Sequence, residues 1–541
     1  MAGPFASGKL PSTAAPAVPD DLAGATALEL AAALRSRRTT AVAVTEATLG
    51  RIERDSTRVG AFVAVAAEQA LREAAAADTV LDAAAASGGA GPQPPPLLGV
   101  PCPIKDLNAV AGMPYVAGSR AMLGNVADAD DGVVRRLRDA GAIVVGKTAT
   151  PEFGFPCYTE SDVAPPARTP WDVGRSAGGS SGGAAAAVAA GLVSIAHGSD
   201  GGGSIRIPAA ACGLVGLKAS RGRISPGPLG IDGPGLASHG VLTRTVRDTA
   251  IGLDVLAQGW PGDVYRLPPP RTTYLDACDR PTGALRIGVL TEPIIADCEV
   301  APGPLNAVER AIAVLRGLGH QVQPAPRPFP AARWEAFAAV WSVLALSIPL
   351  PPEAEPLLTP LTRWLRERGR AVTGAEYAAA LAATQQLARE TAAAWDDVDV
   401  ILTPTLAQPP APVGSLRDDA DPAADFDAQC AFTPWTSTYN LTGRPAISLP
   451  LHRERSANDA VELPYGVMLG ARLGEEETLL ALAAAVEAAD PWRDTLPRNP
   501  GALTAPHAGG AVRGRRPVLS TPSSRPRSGS CSRSSTRWPG R

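Results

Sequence analysis

The feature that most constrains the fold of this chain is a repeated alternation of amphipathic helices and short buried apolar strands. Residues 132–141, GVVRRLRDAG, have the apolar spacing of a helix that stops at a glycine, and AIVVGK follows at once as a strand. Strand and helix patterns alternate again at 285–291 and 304–319, and at 374–395 and 398–405. Such alternation is typical of α/β proteins with a mostly parallel sheet. The sequence therefore predicts an α/β fold.

Two shorter patterns add detail near the amino-terminal end of this fold. A helix is predicted after Thr40, a suitable capping residue, with one apolar face formed by Val42, Thr45, Leu49 and Ile52. The apolar run LLGVPCPI, at 97–104, follows a Pro- and Gly-rich loop and is predicted to be a buried strand.

Composition sets the boundaries of the folded part. The chain has 541 residues, of which 45% are hydrophobic, enough for one large domain or several average ones. Residues 1–22 are rich in Pro and Ala, whereas residues 498–541 are rich in Ser, Pro and Arg and lack apolar periodicity. Both segments are predicted to be disordered, and residues 23–497 to form the folded domain.

The charge of the chain and the pattern of its first residues indicate which kinds of partner are unfavourable. The net charge is −3, but the eight arginines after residue 500 leave the first 500 residues with 42 basic and 53 acidic side chains. An acidic domain argues against nucleic acid or an anionic membrane as its partner. The first residues lack the pattern of a signal peptide, and no apolar run approaches the ~18–20 residues of a membrane span. We expect a cytoplasmic protein that acts on a small molecule, and a homodimer is compatible with the sequence.

Cysteine and histidine spacing gives no sign of a metal site. The seven cysteines are scattered without a CxxC pair, and the five histidines are isolated along the sequence. This pattern favours neither a zinc site nor a disulfide framework. The sequence therefore predicts no metal and no cofactor.

Two glycine-rich segments that carry serine stand out, AGGSSGG at 177–183 and SDGGGS at 199–204. A phosphate-binding loop would need a lysine after the glycines, and a dinucleotide fingerprint would need a strand before them. The GGSSG match to a nucleophile elbow also lacks a preceding strand, and His239 and His320 lie in no supporting motif. These observations favour a serine enzyme that uses lysine as its base.

The lysines are few enough to name. The chain has 46 arginines and four lysines, at positions 9, 105, 147 and 218. Arginine keeps its proton in proteins, whereas a buried lysine can lose it. Lys105 and Lys147 each end an apolar run, and Lys218 lies in GLVGLKAS. Each could be a base, but taken alone each is more often a snorkelling or capping lysine.

Several motifs, taken together and in order, resemble the amidase signature family. They are ELAAALRS (29–36), GVPCPIKD (99–106), AGGSSGG (177–183), SDGGGSIRIPA (199–209), ACGLVGLKASRGRIS (211–225), DVILTPT (399–405) and NLTGRPAISLP (440–450). The resemblance covers about residues 25–495. It implies a single large α/β domain with a twisted, mixed, mainly parallel sheet flanked by helices, and an enzyme that hydrolyses carboxylic amides.

The resemblance also implies roles for individual residues. Ser204 would be the nucleophile that forms the acyl-enzyme, Ser180 the bridging serine with a cis peptide bond, and Lys105 the base. Lys105 must start neutral, and burial favours the neutral amine. Lys147 and Lys218 fall in structural blocks of the family.

Further residues around the second glycine segment have expected supporting roles. Gly201, Gly202 and Gly203, with Ser204, would direct backbone N–H groups at the oxyanion. Ser181 would hydrogen-bond within the relay, and Asp200 and Arg206 would pair to hold the turn.

The substrate is less constrained than the chemistry. Gly154, Phe155 and Cys157 match the block that lines the acyl pocket in the family. Five of the nine tryptophans lie at 334–435, where core packing is favoured over an aromatic channel. The motifs look most like bacterial amidases such as the nylon-oligomer hydrolases. The A subunit of a glutamine-dependent tRNA amidotransferase and a catalytically silent scaffold are the alternatives.

Overall fold

A computed structural model describes residues 24–87, 91–231, 233–455, 461–493 and residue 497. The predictions of disorder for 1–22 and 498–541 lie outside the described residues. None of the helices in the described ranges has both the length and the apolar character that crossing a bilayer requires.

Helices make up much of the described chain. Their bounds are α1 Ala27–Arg35, α2 Ala41–Val59, α3 Ala67–Ala86, α4 Gly132–Asp139, α5 Gly182–Ala189, α6 Arg206–Cys212, α7 Val246–Leu256, α8 Tyr274–Ala277, α9 Pro302–Gly317, α10 Glu335–Ser347, α11 Pro360–Ala371, α12 Gly374–Ala394, α13 Pro422–Phe432, α14 Thr436–Thr442 and α15 Glu476–Ala489. The predicted cap is confirmed, since Thr40 Oγ1 accepts a hydrogen bond from the Ala43 amide at the start of α2.

The strands form two sheets. Their bounds are β1 Phe62–Val65, β2 Ile104–Lys105, β3 Gly146–Thr148, β4 Ile195–Asp200, β5 Val215–Lys218, β6 Ser238–Thr243, β7 Arg286–Val289, β8 Gln321–Pro324, β9 Val400–Pro404, β10 Ala446–Glu454 and β11 Leu463–Ala471. The small sheet has the order β1-β3-β2, and the large sheet has the order β4-β6-β5-β10-β11-β9-β7-β8. Helices α5, α6, α7, α9 and α15 pack against strands of the large sheet.

The expected α/β domain with a mixed, helix-flanked sheet is confirmed, but the expectation of a mainly parallel sheet is wrong. In the large sheet only β7–β8 and β7–β9 are parallel, and every other neighbouring pair is antiparallel. Alternation along the chain indicates crossover connections, yet a strand can return beside a distant partner in either direction. Here β10 inserts between β5 and β11 and runs antiparallel to both.

The strand predicted at 97–104 is also largely absent. Residues 97–99 form turns, and regular pairing begins at Ile104, where β2 runs parallel to β3. The prolines at 101 and 103 explain the difference, because proline cannot donate a ladder hydrogen bond. This short strand ends at Lys105.

Each glycine-rich segment leads directly into a buried helix. The first turn, residues 177–181, precedes α5, in which every residue is buried. The second turn, residues 199–205, connects β4 to α6, which is also fully buried. Two turns fixed by buried helices give the polar side chains that they carry little freedom to move.

Candidate active site

Lys105 and the two turns meet at one place. The Lys105 side chain is fully buried, and its Nζ lies 2.8 Å from Ser180 Oγ in the first turn. The peptide bond between Gly179 and Ser180 is cis, as the family resemblance implied. The Ser181 amide donates to the Ser204 carbonyl at 3.2 Å, which joins the first turn to the second.

Ser199 completes the surroundings of the lysine. Lys105 Nζ lies 3.1 Å from Ser199 Oγ and 3.2 Å from the Ser199 carbonyl oxygen. A carbonyl can only accept, so a neutral amine can give its two N–H groups to Ser199 and keep its lone pair for the Ser180 hydroxyl. Ser199 thus orients the amine towards Ser180.

The lysine has no carboxylate partner in the described part of the chain. Burial lowers the pKa of Lys105 to about 7, against the opposing effect of the Asp200 charge. A substantial fraction of neutral amine is therefore present near pH 7. The site contains a base of suitable strength beside a serine hydroxyl.

Two histidines that look isolated in the sequence form a pair near Lys105. His197 Nε2 lies 3.3 Å from His239 Nδ1, and the rings are stacked. Burial lowers the pKa of His239 to about 4, with a further contribution from Lys105, and lowers the pKa of His197 as well. Both rings are therefore neutral at pH 7 and add no charge beside the lysine.

Ser204 lies at the second turn and is 7% exposed, the remainder being covered by the surrounding protein. It lines a pocket, so it can meet a ligand. Within the described residues no hydrogen bond joins the hydroxyls of Ser180 and Ser204. The first link of the predicted relay is formed in this structure, and the second is not; such contacts often tighten only when substrate binds.

Asp200 organises the second turn. Its carboxylate forms two hydrogen bonds with the Arg206 guanidinium, both at 2.9 Å, so the predicted pair forms. It also accepts from the Gly203 amide at 2.7 Å and from Asn440 Nδ2 at 2.9 Å. Burial raises the pKa of Asp200, but the Arg206 charge and the hydrogen bonds from Arg206 and Asn440 outweigh it. They hold the pKa of Asp200 well below its usual range. The turn is held by a charged, fully bonded network.

The Gly203 amide requires a correction to the expected oxyanion site. Because it already donates to Asp200, it is not free to bind an oxyanion in this conformation. Glycine is needed there for another reason: its φ is 135°, and a Cβ would lie 2.5 Å from Thr436 Oγ1. In the described part of the chain, the amides of Gly201, Gly202 and Ser204 have no protein acceptor.

Ser181 contacts Lys105 only indirectly, through Ser199. Its hydroxyl donates to the Ser199 carbonyl at 3.2 Å and lies 3.3 Å from the Ser199 amide. Ser181 therefore supports Ser199, the residue that orients Lys105.

The pocket at Ser204 contains two of the three expected substrate-pocket residues. Phe155 and Cys157 line it, and it encloses about 450 Å³ of empty space, part of it open to solvent. Gly154 lies instead beside Ser180, since a Cβ on it would sit 3.2 Å from Ser180 Oγ and 2.5 Å from a methyl group of Leu107. Its lack of a side chain keeps that approach open.

Some of these tryptophans pack in the core and others line the pocket. Trp395 and Trp435 are fully buried in the core, as favoured, whereas Trp334 and Trp341 line the pocket. A larger cleft of about 1420 Å³ lies around residues 267–271 and the start of α15, and none of Lys105, Ser180 and Ser204 lines it.

Sequence reasoning did not find Ser199, Thr436 or Asn440. Thr436 Oγ1 donates to the Gly202 carbonyl at 2.7 Å, and Asn440 Nδ2 donates to the Asp200 carbonyl at 2.9 Å. Ser199 was visible as the second residue before the glycines. Thr436 and Asn440 come from α14, more than 200 residues away; Asn440 begins the motif NLTGRPAISLP, which gave it no role, and no local signal marks Thr436.

Comparisons with known proteins identify the family of this chain. The Amidase family model matches residues 43–480. A putative amidase of Synechocystis sp. is 37% identical over 469 residues, covering 85% of this chain and 88% of that protein. The 6-aminohexanoate-cyclic-dimer hydrolase of Paenarthrobacter ureafaciens is 34% identical over 484 residues, covering 85% and 93%.

A solved structure is similar over the same range. The structure of 6-aminohexanoate cyclic dimer hydrolase complexed with substrate has a TM-score of 0.78 and 32% identity, covering 88% of this chain and 99% of that one. The fold and these matches define a hydrolase of amide C–N bonds. The chain belongs to the amidase signature family, as the motifs in its sequence predicted.

Proposed function

We propose that this amidase cleaves a small-molecule amide through an acyl-enzyme on Ser204, with Ser180 and Lys105 as the proton relay. The observation that carries the proposal is the 2.8 Å contact between Lys105 Nζ and Ser180 Oγ, in a buried site where the lysine has no carboxylate partner among the described residues. A buried lysine without a carboxylate partner can hold a neutral amine, and its contact with a serine hydroxyl makes this one a candidate base.

The acylation step follows from these positions. The neutral amine of Lys105 takes the proton of the Ser180 hydroxyl, and Ser180 takes that of Ser204. Ser204 Oγ then attacks the amide carbonyl, and a C–O bond forms. When the C–N bond breaks, the proton returns through Ser180 to the departing amine.

The oxyanion would be bound by the second turn. The amides of Gly201, Gly202 and Ser204 have no protein acceptor in the described structure, so they are available as donors. Water then hydrolyses the acyl-enzyme by the same relay, releasing the carboxylate. The Asp200–Arg206 network keeps the turn in place during both steps.

Labelling of the nucleophile tests this proposal without knowledge of the substrate. The protein is treated with a fluorophosphonate and digested, and the label is located by mass spectrometry. We expect the label on Ser204, and its loss in Lys105→Met. A label on Ser180 would contradict the proposed roles of the two serines.

The similarity to 6-aminohexanoate-cyclic-dimer hydrolases supports a non-peptide aliphatic amide as one candidate substrate. Opening of that cyclic dimer to the linear dimer, by hydrolysis of one amide bond and measured by chromatography, tests it. Glutamine serves as the comparison substrate, because faster ammonia release from glutamine would favour the amidotransferase alternative instead.

A further inference from the structure

The pocket at Ser204 has a wall of aromatic rings in mutual contact. Its rings are Phe155, Trp334, Phe337, Trp341 and Phe426. Trp341 contacts Phe155 edge-on at 5.2 Å between centroids and stacks on Phe337 at 5.1 Å, and Phe337 stacks on Trp334 at 4.9 Å. Rings packed in this way form a continuous apolar surface that favours another ring or an alkyl chain.

This aromatic wall lies directly against the second turn. A Cβ on Gly201 would lie 3.3 Å from the Trp341 ring, and one on Gly202 would lie 3.6 Å from the Phe337 ring. The amides of these two glycines are the proposed oxyanion donors. A substrate whose carbonyl lies at the turn would therefore place its neighbouring group on Trp341 and Phe337.

The polar side chains of the pocket are already hydrogen-bonded to the protein. Gln429 accepts from the Cys157 amide at 2.8 Å and donates to Asp425 at 2.6 Å. Ser437 Oγ accepts from Trp334 Nε1 at 2.9 Å, and Thr433 Oγ1 donates to the Gln429 carbonyl at 2.8 Å. Each of these three side chains already has a hydrogen bond within the walls, so the polar recognition that they can offer a ligand is reduced.

Charge is missing from the walls as well. Among the described residues that line the pocket, none has a charged side chain. The nearby Asp425 is buried and its carboxylate accepts from Tyr158 and Gln429. An ammonium or carboxylate entering this pocket would lose water and gain no counter-ion.

From these contacts we infer that the enzyme selects amides whose acyl group is uncharged and aromatic or alkyl, and that this group packs on Trp341 and Phe337. The inference rests on the proposed function, because it assumes that Ser204 attacks the carbonyl beside the turn. It adds the class of acyl group and names the surface that recognises it.

Primary amides isolate the acyl group, because their leaving group is ammonia in every case. We would compare 3-phenylpropanamide and hexanamide with two charged analogues of hexanamide, 5-aminopentanamide and adipic acid monoamide, at pH 8. The neutral amides are expected to have kcat/KM values at least about 100-fold above the charged ones. Values for the charged amides within threefold of hexanamide would overturn the inference.

A pair of matched tryptophan variants tests the surface itself. Trp341→Leu removes a ring that lines the pocket, whereas Trp364→Leu removes a ring that packs on Phe426 at 5.6 Å without lining it. We expect the ratio of kcat/KM for 3-phenylpropanamide to that for acetamide to fall about tenfold in the first variant. The ratio should stay unchanged in the second variant.

Two controls keep this test decisive. Trp341→Phe retains an aromatic surface and should recover most of the ratio, even if the leucine variant folds poorly. An unchanged ratio in a folded Trp341→Leu variant would overturn the inference, as would an equal fall in Trp364→Leu. The labelling experiment separates the two proposals. If the fluorophosphonate labels Ser204 but none of the neutral amides is hydrolysed, the inference is wrong and the proposed function stands. If Ser204 is not labelled, the proposed function itself fails.

Discussion

Lys105 and Lys147 lie on adjacent strands of the small sheet and are equally buried. Their surroundings differ, because only Lys147 has a carboxylate in contact with its amine. Lys147 Nζ is 2.7 Å from Asp106 Oδ1, whereas Lys105 Nζ meets the hydroxyls of Ser180 and Ser199 and a carbonyl. Asp106 follows Lys105 directly in the chain, but its carboxylate bonds to the neighbouring lysine.

This difference separates a structural lysine from a candidate base. A buried ammonium next to a carboxylate keeps its proton, because losing it would leave the carboxylate unpaired. A buried amine that faces hydroxyls loses its proton more readily. Burial and position at a strand end are therefore insufficient to identify a catalytic lysine; the partner of the amine decides.

The largest effect is expected when the base is removed. Lys105→Met should lower kcat/KM by at least about 10⁴-fold, because Ser180 loses the group that accepts its proton. Lys105→Arg should be equally inactive, since arginine cannot give up its proton. Amide turnover and circular dichroism are measured together. Near-normal turnover in either folded variant would remove Lys105 from the mechanism.

Removing the other lysine should instead reduce stability. Lys147→Met leaves the buried Asp106 carboxylate without its ion pair, and we expect a loss of about 3–5 kcal/mol in the free energy of unfolding. Urea unfolding measures it. The double variant Asp106→Asn/Lys147→Met should recover most of this loss, because neither charge is then buried alone and the asparagine oxygen can still accept from the Val116 and Ala117 amides. A double variant as unstable as the single one would show that the ion pair is not the cause.

The pH dependence of activity should report Lys105. Its pKa of about 7 means that the ammonium form prevails at lower pH and cannot accept a proton. We therefore expect kcat/KM to fall by about tenfold per pH unit below 7 and to level off above it. Initial rates on a neutral primary amide between pH 5 and 8.5 measure this. A profile that is flat, or that falls as pH rises, would contradict the assignment.

The smallest effect is expected at Ser199. Ser199→Ala removes the hydroxyl at 3.1 Å from Lys105 Nζ but keeps the carbonyl, so kcat/KM should fall by about tenfold. Ser194→Ala serves as the matched control, because that hydroxyl is bonded to the Ala25 carbonyl instead. Equal losses in the two variants would mean that the orientation of the lysine by Ser199 has no role of its own.

Local patterns predicted the elements well. Thr40 caps its helix as expected, and the helix predicted at 374–395 is found at Gly374–Ala394. Strand direction was predicted wrongly, because pairing depends on where a distant strand returns. The insertion of β10 between β5 and β11 has no local signature in either segment.

In the candidate site, too, some contacts were predicted from local motifs and others were not. The contact between Lys105 and Ser180 was expected from motifs that are short and specific. The hydrogen bond from the Gly203 amide to Asp200 was not expected, because a glycine-rich sequence does not show which backbone amides already donate to a protein acceptor. Thr436 and Asn440 reach the second turn from α14, which only the folded chain brings close.

The dependence of the second turn on α14 has a consequence for how the enzyme is made. A chain is synthesised from its amino terminus, so Ser204 leaves the ribosome more than 200 residues before Asn440 does. Until then Asp200 lacks Asn440, and the large sheet lacks β10 and β11 at its centre. The nascent protein therefore already contains the proposed nucleophile, base and bridging serine while the structure that holds them is incomplete. We expect hydrolytic competence only after the last strands have entered the sheet.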